Sequence, residues 1–217
     1  MKILALELSS ARGSVALTDE GKTEFSREWP NDRKNSGPFF EYLAEVQKQF
    51  GKSETIIVGL GPGSYAGTRI AISAAIGLSF GGRRAVGAQN LGHDSACPSI
   101  KLIGYPSICA IESDSPEYCV IGDARRNSYF YARVCDRSLA EGPTLMSEPE
   151  LRTKLATLNG KMSIFTTEKL PRFEQAELRY PAAKMLAQLV TGAKRNFMET
   201  PLEPMYLREP HITIPKK

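Results

Sequence analysis

The sequence predicts an α/β protein folded as two small lobes, each a mixed sheet flanked by helices. Three observations carry that prediction. The chain opens with three short strand patterns in a row. A buried-strand pattern at 55–60 then runs through a glycine-rich loop into a helix. A second strand pair near residue 120 again places an acid at the end of a strand.

Ile3 to Leu8 is an apolar run, Ser9 to Gly13 has turn chemistry, and Ser14 to Thr18 is a second strand. After the turn Asp19-Glu20-Gly21-Lys22, Thr23 to Glu28 alternates as a third strand, completing a β-meander. Ser36-Gly37-Pro38 supplies a helix start, Phe39, Leu43, Val46 and Phe50 recur at helical spacing, and Gly51 ends the helix. Phe40 adds a second aromatic beside that stripe.

Thr55 to Leu60 reads as a buried strand, followed by a loop from Gly61 to Arg69 and a helix over about 70–80 that Gly81-Gly82 closes. Small residues in this helix, Ala71, Ser73, Ala74, Ala75 and Gly77, sit between Ile70, Ile72, Ile76 and Leu78, so a neighbour can approach its backbone closely. A helix apolar on most faces is buried or lies in an interface.

Ala85-Val86 fits a short strand, and the segment from Leu91 to Ile111 is assigned no element. Glu117 to Gly122 and Ser128 to Cys135 read as strands joined by 123–127, with Phe130, Ala132 and Val134 alternating against Tyr129, Tyr131 and Arg133. Met162 to Thr166 adds a strand, Pro181 to Val190 a helix with Pro in its first turn, and 201–217 is proline-rich and irregular. The expected lobes are 1–90 and 91–217.

At 217 residues the chain suits one large domain or two small lobes, and length alone does not choose. Hydrophobic residues at 41% and charged residues at 24% fit a globular protein, and no apolar stretch reaches bilayer length. Glu7 interrupts the opening apolar run before signal-peptide length, so a cytoplasmic protein is expected. Cys97, Cys109, Cys119 and Cys135 lack CxxC or zinc spacing and read as free, buried thiols. The net charge of +4 permits an anionic partner without demanding one.

Glu7 ends an apolar strand and is followed by a small polar turn and another strand; Asp123 repeats this in the second half. Two such halves describe a duplicated fold of the actin, hexokinase and Hsp70 type, against the alternative of a chance pair of hairpins.

Two readings of the glycine loop stand. Backbone N–H groups at a helix start can cradle an anion, or Gly61, Gly63 and Gly67 only permit a tight strand-to-helix turn. A Walker loop is excluded, because no Lys follows the last glycine. Arg69 in a first helical turn opposes the helix dipole and calls for a compensating carboxylate or bound phosphate.

The loop Gly61-Pro62-Gly63-Ser64-Tyr65-Ala66-Gly67-Thr68-Arg69-Ile70 resembles the Gly-Pro-Gly-Ser-Phe-Thr-Gly-Leu-Arg-Ile motif of the TsaB (YeaZ) family, noncatalytic relatives of TsaD. Ile3 to Ser10 resembles the family's opening Ile-Leu-Ala-Ile-Asp-Thr-Ser-Thr, Asp123-Ala124-Arg125 its Asp-Ala-Arg, and Pro204 to Arg208 its terminal Pro-x-Tyr-Leu-Arg. The chain departs from the family at Glu7 for Asp, Asn35-Ser36-Gly37 for His-Ser-Glu, Phe39-Phe40-Glu41 for Leu-Leu-Pro, and Ala66 for Thr.

The resemblance implies an actin-like (ASKHA, ribonuclease H-like) fold and pairing with a TsaD-like catalytic subunit through the first-lobe helices. On the first helix the implied contacts are Phe39, Phe40, Leu43, Val46 and Phe50, and on the second Ile70, Ile72, Ala74 and Ile76. With a TsaE-like ATPase, such an assembly installs threonylcarbamoyl on adenosine in the tRNA anticodon loop. It implies no cofactor or metal of the chain's own, ATP or ADP at the shared interface, tRNA met through the complex, and self-pairing as a further association.

TsaD-type catalysis needs two histidines one helical turn apart, whereas this chain holds only His93 and His211. A Gly-x-Ser-x-Gly nucleophile turn is also missing, so no catalytic residue is assigned. Two alternatives are a phosphotransferase, in which Glu7 and Asp123 hold magnesium or act as base, and a homodimeric interaction module. The first lacks the Gly-Thr-Thr turn expected after the leading acid.

Overall fold

The computed structural model describes residues 1–31, 35–80, 100–158, 160, 162–192 and 195–208. The chain opens with β1 (Lys2–Glu7), β2 (Arg12–Asp19) and β3 (Lys22–Pro30), the expected meander. Then come α1 (Gly37–Phe50), β4 (Thr55–Gly59), α2 (Tyr65–Phe80), β5 (Lys101–Tyr105) and a 3-10 turn at Ser107–Ala110. The second half holds β6 (Glu117–Asp123), β7 (Ser128–Cys135), β8 (Ser138–Ser147), α3 (Glu148–Ala156), β9 (Ser163–Thr166), β10 (Glu177–Leu178), α4 (Ala183–Thr191) and β11 (Met198–Glu199).

The two sheets repeat one plan. The first has the order β11-β5-β4-β1-β2-β3 and the second β10-β9-β6-β7-β8. In each, the first three strands pair antiparallel and the next two run parallel to the first. Parallel neighbours require crossovers, which α1 and α2 provide in the first lobe and α3 in the second. The fold is therefore the duplicated actin-like one, and a chance pair of hairpins would not reproduce this order twice.

Period-two alternation divides the first sheet between two cores. Leu4, Leu6, Ile56 and Val58 face α1 and α2, joining Phe39, Leu43, Val46, Ala71, Ile72 and Ala75. Ile3, Ala5, Ile57 and Ile103 face inward, where they share a central core with α4 and with Tyr118, Val120, Phe130 and Ala132 of the second sheet. On the far side, Cys119, Ile121 and Tyr131 pack with Leu151 and Leu155 of α3.

Several expectations are corrected. The helix after the glycine loop begins at Tyr65 rather than near Ile70, so Tyr65, Gly67 and Arg69 are helical. The expected boundary after residue 90 leaves β5 and β11 on the wrong side, because both hydrogen-bond into the first sheet. Pro181 precedes α4 instead of opening it; it bridges to Ile111, and Ala182 is the N-cap. Tyr131, on the expected wet face of β7, is fully buried by α3. The readings at Gly81-Gly82, Ala85-Val86, 91–99 and 209–217, with Cys97, His93 and His211, lie outside the described residues.

Strand β8 and helix α3 were not anticipated, although α3 carries a legible start. Ser147 Oγ accepts the Glu150 N–H while Glu150 accepts the Ser147 N–H, a capping box with Pro149 in the first turn. At α1 the start is Asn35 instead, whose Oδ1 accepts the Gly37 N–H at 2.8 Å; the Ser36 side chain makes no cap bond. Cys109 and Cys119 are buried free thiols whose pKa burial pushes up to about 12, leaving the reactive thiolate scarce. Cys135 is a free thiol at intermediate exposure.

Candidate functional site

Between the lobes lies a cavity of about 330 Å³. Its walls are Ser9 and Ser10 after β1, Gly63 to Tyr65 with Thr68 at the start of α2, Asp123 to Arg125 after β6, Thr167 and Glu168 after β9, and the terminal stretch Pro204 to Arg208. The loops that follow the first strands of the two lobes thus meet here, as the duplicated plan dictates.

The two equivalent acids are used oppositely. Glu7 is fully buried and does not line the cavity. It faces the inner side of the sheet, where its Oε1 accepts the Ser9 N–H at 2.6 Å and its Oε2 has no hydrogen-bond partner among the described residues. A Cβ on Gly59 would stand 1.7 Å from Oε2, so glycine leaves the space that the carboxyl fills. Desolvation raises the Glu7 pKa, against a smaller opposing pull from Ser9 and Ser107. A carboxyl so enclosed cannot reach a magnesium ion or substrate in the cavity. Asp123 does line it, but its Oδ1 accepts the Arg125 N–H at 2.7 Å and its own N–H donates to Glu168 Oε1 at 3.0 Å. Among the described residues, no group of three His, Cys, Asp or Glu side chains could hold a metal ion.

The glycine loop is turned toward the protein itself. Gly61 N–H donates to Ser107 Oγ at 2.9 Å, and Ser64 N–H donates to the Ser9 carbonyl. Ser64 Oγ accepts the Gly67 N–H at 3.3 Å at the start of α2. A Cβ on Gly63 would come within 2.1 Å of the Ser9 carbonyl oxygen, and one on Gly67 within 2.0 Å of the Leu8 carbonyl oxygen. These glycines let the start of α2 press against the β1–β2 connection, which favours the structural reading of the loop. Pro62 is buried in the same turn.

Arg69 rests on an aromatic side chain rather than on the carboxylate expected as one compensating group. Its guanidinium lies 5.0 Å from the centre of the Tyr65 ring and hydrogen-bonds the Tyr65 hydroxyl. The Tyr65 ring in turn packs on Tyr206 with centroids 5.3 Å apart. Among the described residues no carboxylate pairs with Arg69 within 4.0 Å.

The expected interface residues divide by burial. Phe39, Leu43, Val46 and Ile72 are core residues of the first lobe, because each helix must bury one stripe against the sheet. Phe50 is half-buried, edge-on to Phe25. Phe40 stays 49% exposed and Ile76 37%, while Ile70 and Ala74 are half-buried against the first-lobe core. Phe80, 58% exposed, and Tyr65, 49% exposed, are further exposed aromatics on α2. Along α2 the wet positions Tyr65, Arg69, Ser73, Ile76 and Phe80 form one stripe that carries a single charge.

No family model matches the chain. A protein of Mycobacterium tuberculosis, described as uncharacterized, is 27% identical over 175 residues, covering 77% of this chain and 70% of its own length. A Mycobacterium bovis protein matches to the same extent. Among solved structures, YeaZ from Pseudomonas aeruginosa superposes with a TM-score of 0.61 at 19% identity, covering 88% of this chain and 90% of that one. The chain has the YeaZ fold. A second structure, described as an uncharacterized protein with similarity to peptidase YeaZ from Pseudomonas aeruginosa, reaches a TM-score of 0.67 at 20% identity. It covers 95% of this chain and 99% of that one.

Within the YeaZ fold, two features of the cavity were not legible as site residues. Thr167 and Glu168 follow β9, and only the strand order brings them beside Asp123. Tyr206 reaches Tyr65 because the Met205 N–H donates to the Leu60 carbonyl at 2.8 Å, strapping the terminal stretch across the cavity. The Tyr-Leu-Arg string signals that stretch without revealing its partner.

Proposed function

We propose that this chain is a TsaB-type noncatalytic subunit that binds a TsaD-like catalytic subunit in the threonylcarbamoyl modification of adenosine in the tRNA anticodon loop. The observation that carries the reading is the outer face of α1 and α2. Phe40 on α1 and Ile76 on α2 stay exposed there, the latter beside small residues that admit a close neighbour, and exposed apolar side chains of this kind suit an interaction surface. The YeaZ fold and the loop motif support the choice of partner.

The sealed carboxyl of Glu7 argues against a phosphotransferase, since the leading acid of the first lobe is out of reach of a cavity ligand. The peptidase likeness of one neighbour gains no support from a sequence whose two histidines are His93 and His211. On this reading ATP or ADP belongs to the surface shared with the catalytic subunit, a TsaE-like ATPase joins the assembly, and the chain works in the cytoplasm. Self-pairing would use the same helix face and compete with the heteromeric contact.

Phe40→Asp tests the proposal. Aromatic interface anchors cost about 2 kcal/mol or more when lost, so the variant should keep its melting temperature yet fail to capture the TsaD-like subunit from extract. A folded variant that still captures it moves the interface elsewhere. The pure chain, given ATP, magnesium and either peptide or tRNA with donor, should show background rates. Turnover that disappears in Glu7→Ala or Asp123→Ala would overturn the noncatalytic reading.

A further inference from the structure

The turn after β6 and the loop after β9 emerge at the same edge of the second sheet, because β6 and β9 are parallel neighbours. They line a second depression of about 380 Å³ that adjoins the interlobe cavity, sharing Asp123, Arg125 and Glu168 with it. The side chains of Arg125, Arg126, Lys169 and Arg172 surround it, and Arg208 reaches in from the terminal stretch to donate to the Arg125 carbonyl. All five cations are exposed; Asp123 and Glu168 line the depression with them, and Glu148 pairs with Arg172 at its margin.

Each carboxylate commits one oxygen to the backbone. Asp123 Oδ1 takes the Arg125 N–H, and Glu168 Oε1 takes the Asp123 N–H. The Thr166 hydroxyl donates to the Glu168 carbonyl and accepts its N–H, fixing the first residues of the loop after β9. The turn itself carries Arg125, Arg126 and Asn127 at φ of 65°, 54° and 57°, a run that points two consecutive arginines away from the sheet. Arg125 and Arg172 have partly exposed ion-pair partners in Asp123 and Glu148. Arg126 and Lys169 have none among the described residues.

We infer that this edge of the second lobe is a contact surface for the phosphate backbone of RNA. Exposed cations without a carboxylate partner, Arg126 and Lys169 here, are what a polyanion recognises, and each phosphate they neutralise releases a counterion. An acidic protein is the poorer fit, because protein interfaces centre on apolar anchors, whereas none of the large apolar side chains that stand exposed among the described residues lines this depression. The choice of RNA rests on the proposed role in a tRNA-modifying assembly; the charge argument is independent of it. The surface lies in the second lobe, so it leaves the first-lobe helices free for the protein partner.

The test uses the full chain, a labelled RNA stem-loop and a salt titration. Wild type should bind with affinity that falls steeply with salt. Arg126→Gln with Lys169→Gln should lower affinity on the order of tenfold and reduce the log–log salt slope by about two, roughly one for each lost phosphate contact. Both side chains are exposed, so the melting temperature should hold. Lys169→Gln alone, outside the constrained turn, should show about half the slope change and guards against a folding artefact.

Absence of RNA binding by the wild type at low salt, or an unchanged slope in the double variant, overturns the inference. So does polyglutamate competing better than RNA of equal charge, which would point to an acidic protein. Capture of the TsaD-like subunit is measured on the same variants. RNA binding lost with capture intact supports the inference. RNA binding by a wild type that captures no such subunit also supports it, and sinks the proposed function instead.

Discussion

The two lobes share a strand order and differ in what they place at the end of its first strand. In the first lobe the acid turns inward, buried beneath Gly59, and the loop that follows serves to seat α2. In the second lobe the acid stays at the surface and organises a basic turn. The outer helices differ in the same sense. The first lobe exposes Phe40, Ile76 and Phe80, whereas α3 carries Glu148, Arg152 and Lys154 in ion pairs. Backbone order survives duplication because ladder pairing and sheet burial enforce it, while side chains at strand ends are free to diverge. On the proposed reading one lobe meets a protein and the other a polyanion.

The largest effect expected from this difference is at the glycine loop. Gly63→Val would drive a side chain to within 2.1 Å of the Ser9 carbonyl oxygen, from a φ of 156° that a branched residue adopts poorly. Backbone cannot yield as a flexible side chain can, so the cost should reach about 3 kcal/mol or more. Urea denaturation would read this as a lowered midpoint at unchanged slope. A variant that unfolds normally yet loses a bound nucleotide would instead make the loop a ligand site, and the contrast between the lobes would collapse.

How far the sequence reveals this molecule depends on which forces act locally. The meander, α1 and β4 are legible because burial of one face writes a two- or 3.6-residue period into neighbouring residues. The equivalence of Glu7 and Asp123 could be suspected from two strand ends alone, but it is established by β8, whose polar, Gly142-Pro143-interrupted sequence lacks a strand period. The burial of Glu7 was not legible at all. It depends on Gly59 and Ser107 arriving from two later elements, and no local pattern reports their meeting. Burial splits the expected interface stripe: the same spacing that marks Phe39, Leu43 and Val46 as apolar also turns them to the core, while Phe40 beside them stays 49% exposed.

A smaller effect should follow from the charge state of Glu7. Burial raises its folded pKa above the ordinary value of 4.5. The folded protein therefore holds this proton more tightly than the unfolded chain. The resulting stability is fully present below pH 4.5 and is lost as the pH rises through the raised value. Glu7→Gln keeps the shape without the titration, so the stability of wild type relative to this variant should fall as pH rises across that window. Wild-type stability rising with pH relative to Glu7→Gln would mean that Glu7 is ionised and paired in the fold.

The smallest effect belongs to the second-lobe acid itself. Asp123→Ala removes one side-chain hydrogen bond to the Arg125 N–H and an ion pair at 3.4 Å whose partners are 70% and 34% exposed. Water can replace the acceptor at this open position, and exposed ion pairs contribute little, so the loss should be about 1 kcal/mol or less. For a chain of this length that is a fall of roughly 2–4 °C in melting temperature. The turn would still be bracketed by the Ala124 N–H to Ser128 carbonyl bond, which keeps Arg125 and Arg126 at the surface. A destabilisation approaching that of Gly63→Val would show that Asp123 supports the second lobe as Glu7 is built into the first. The divergence of the two strand ends would then be one of exposure only.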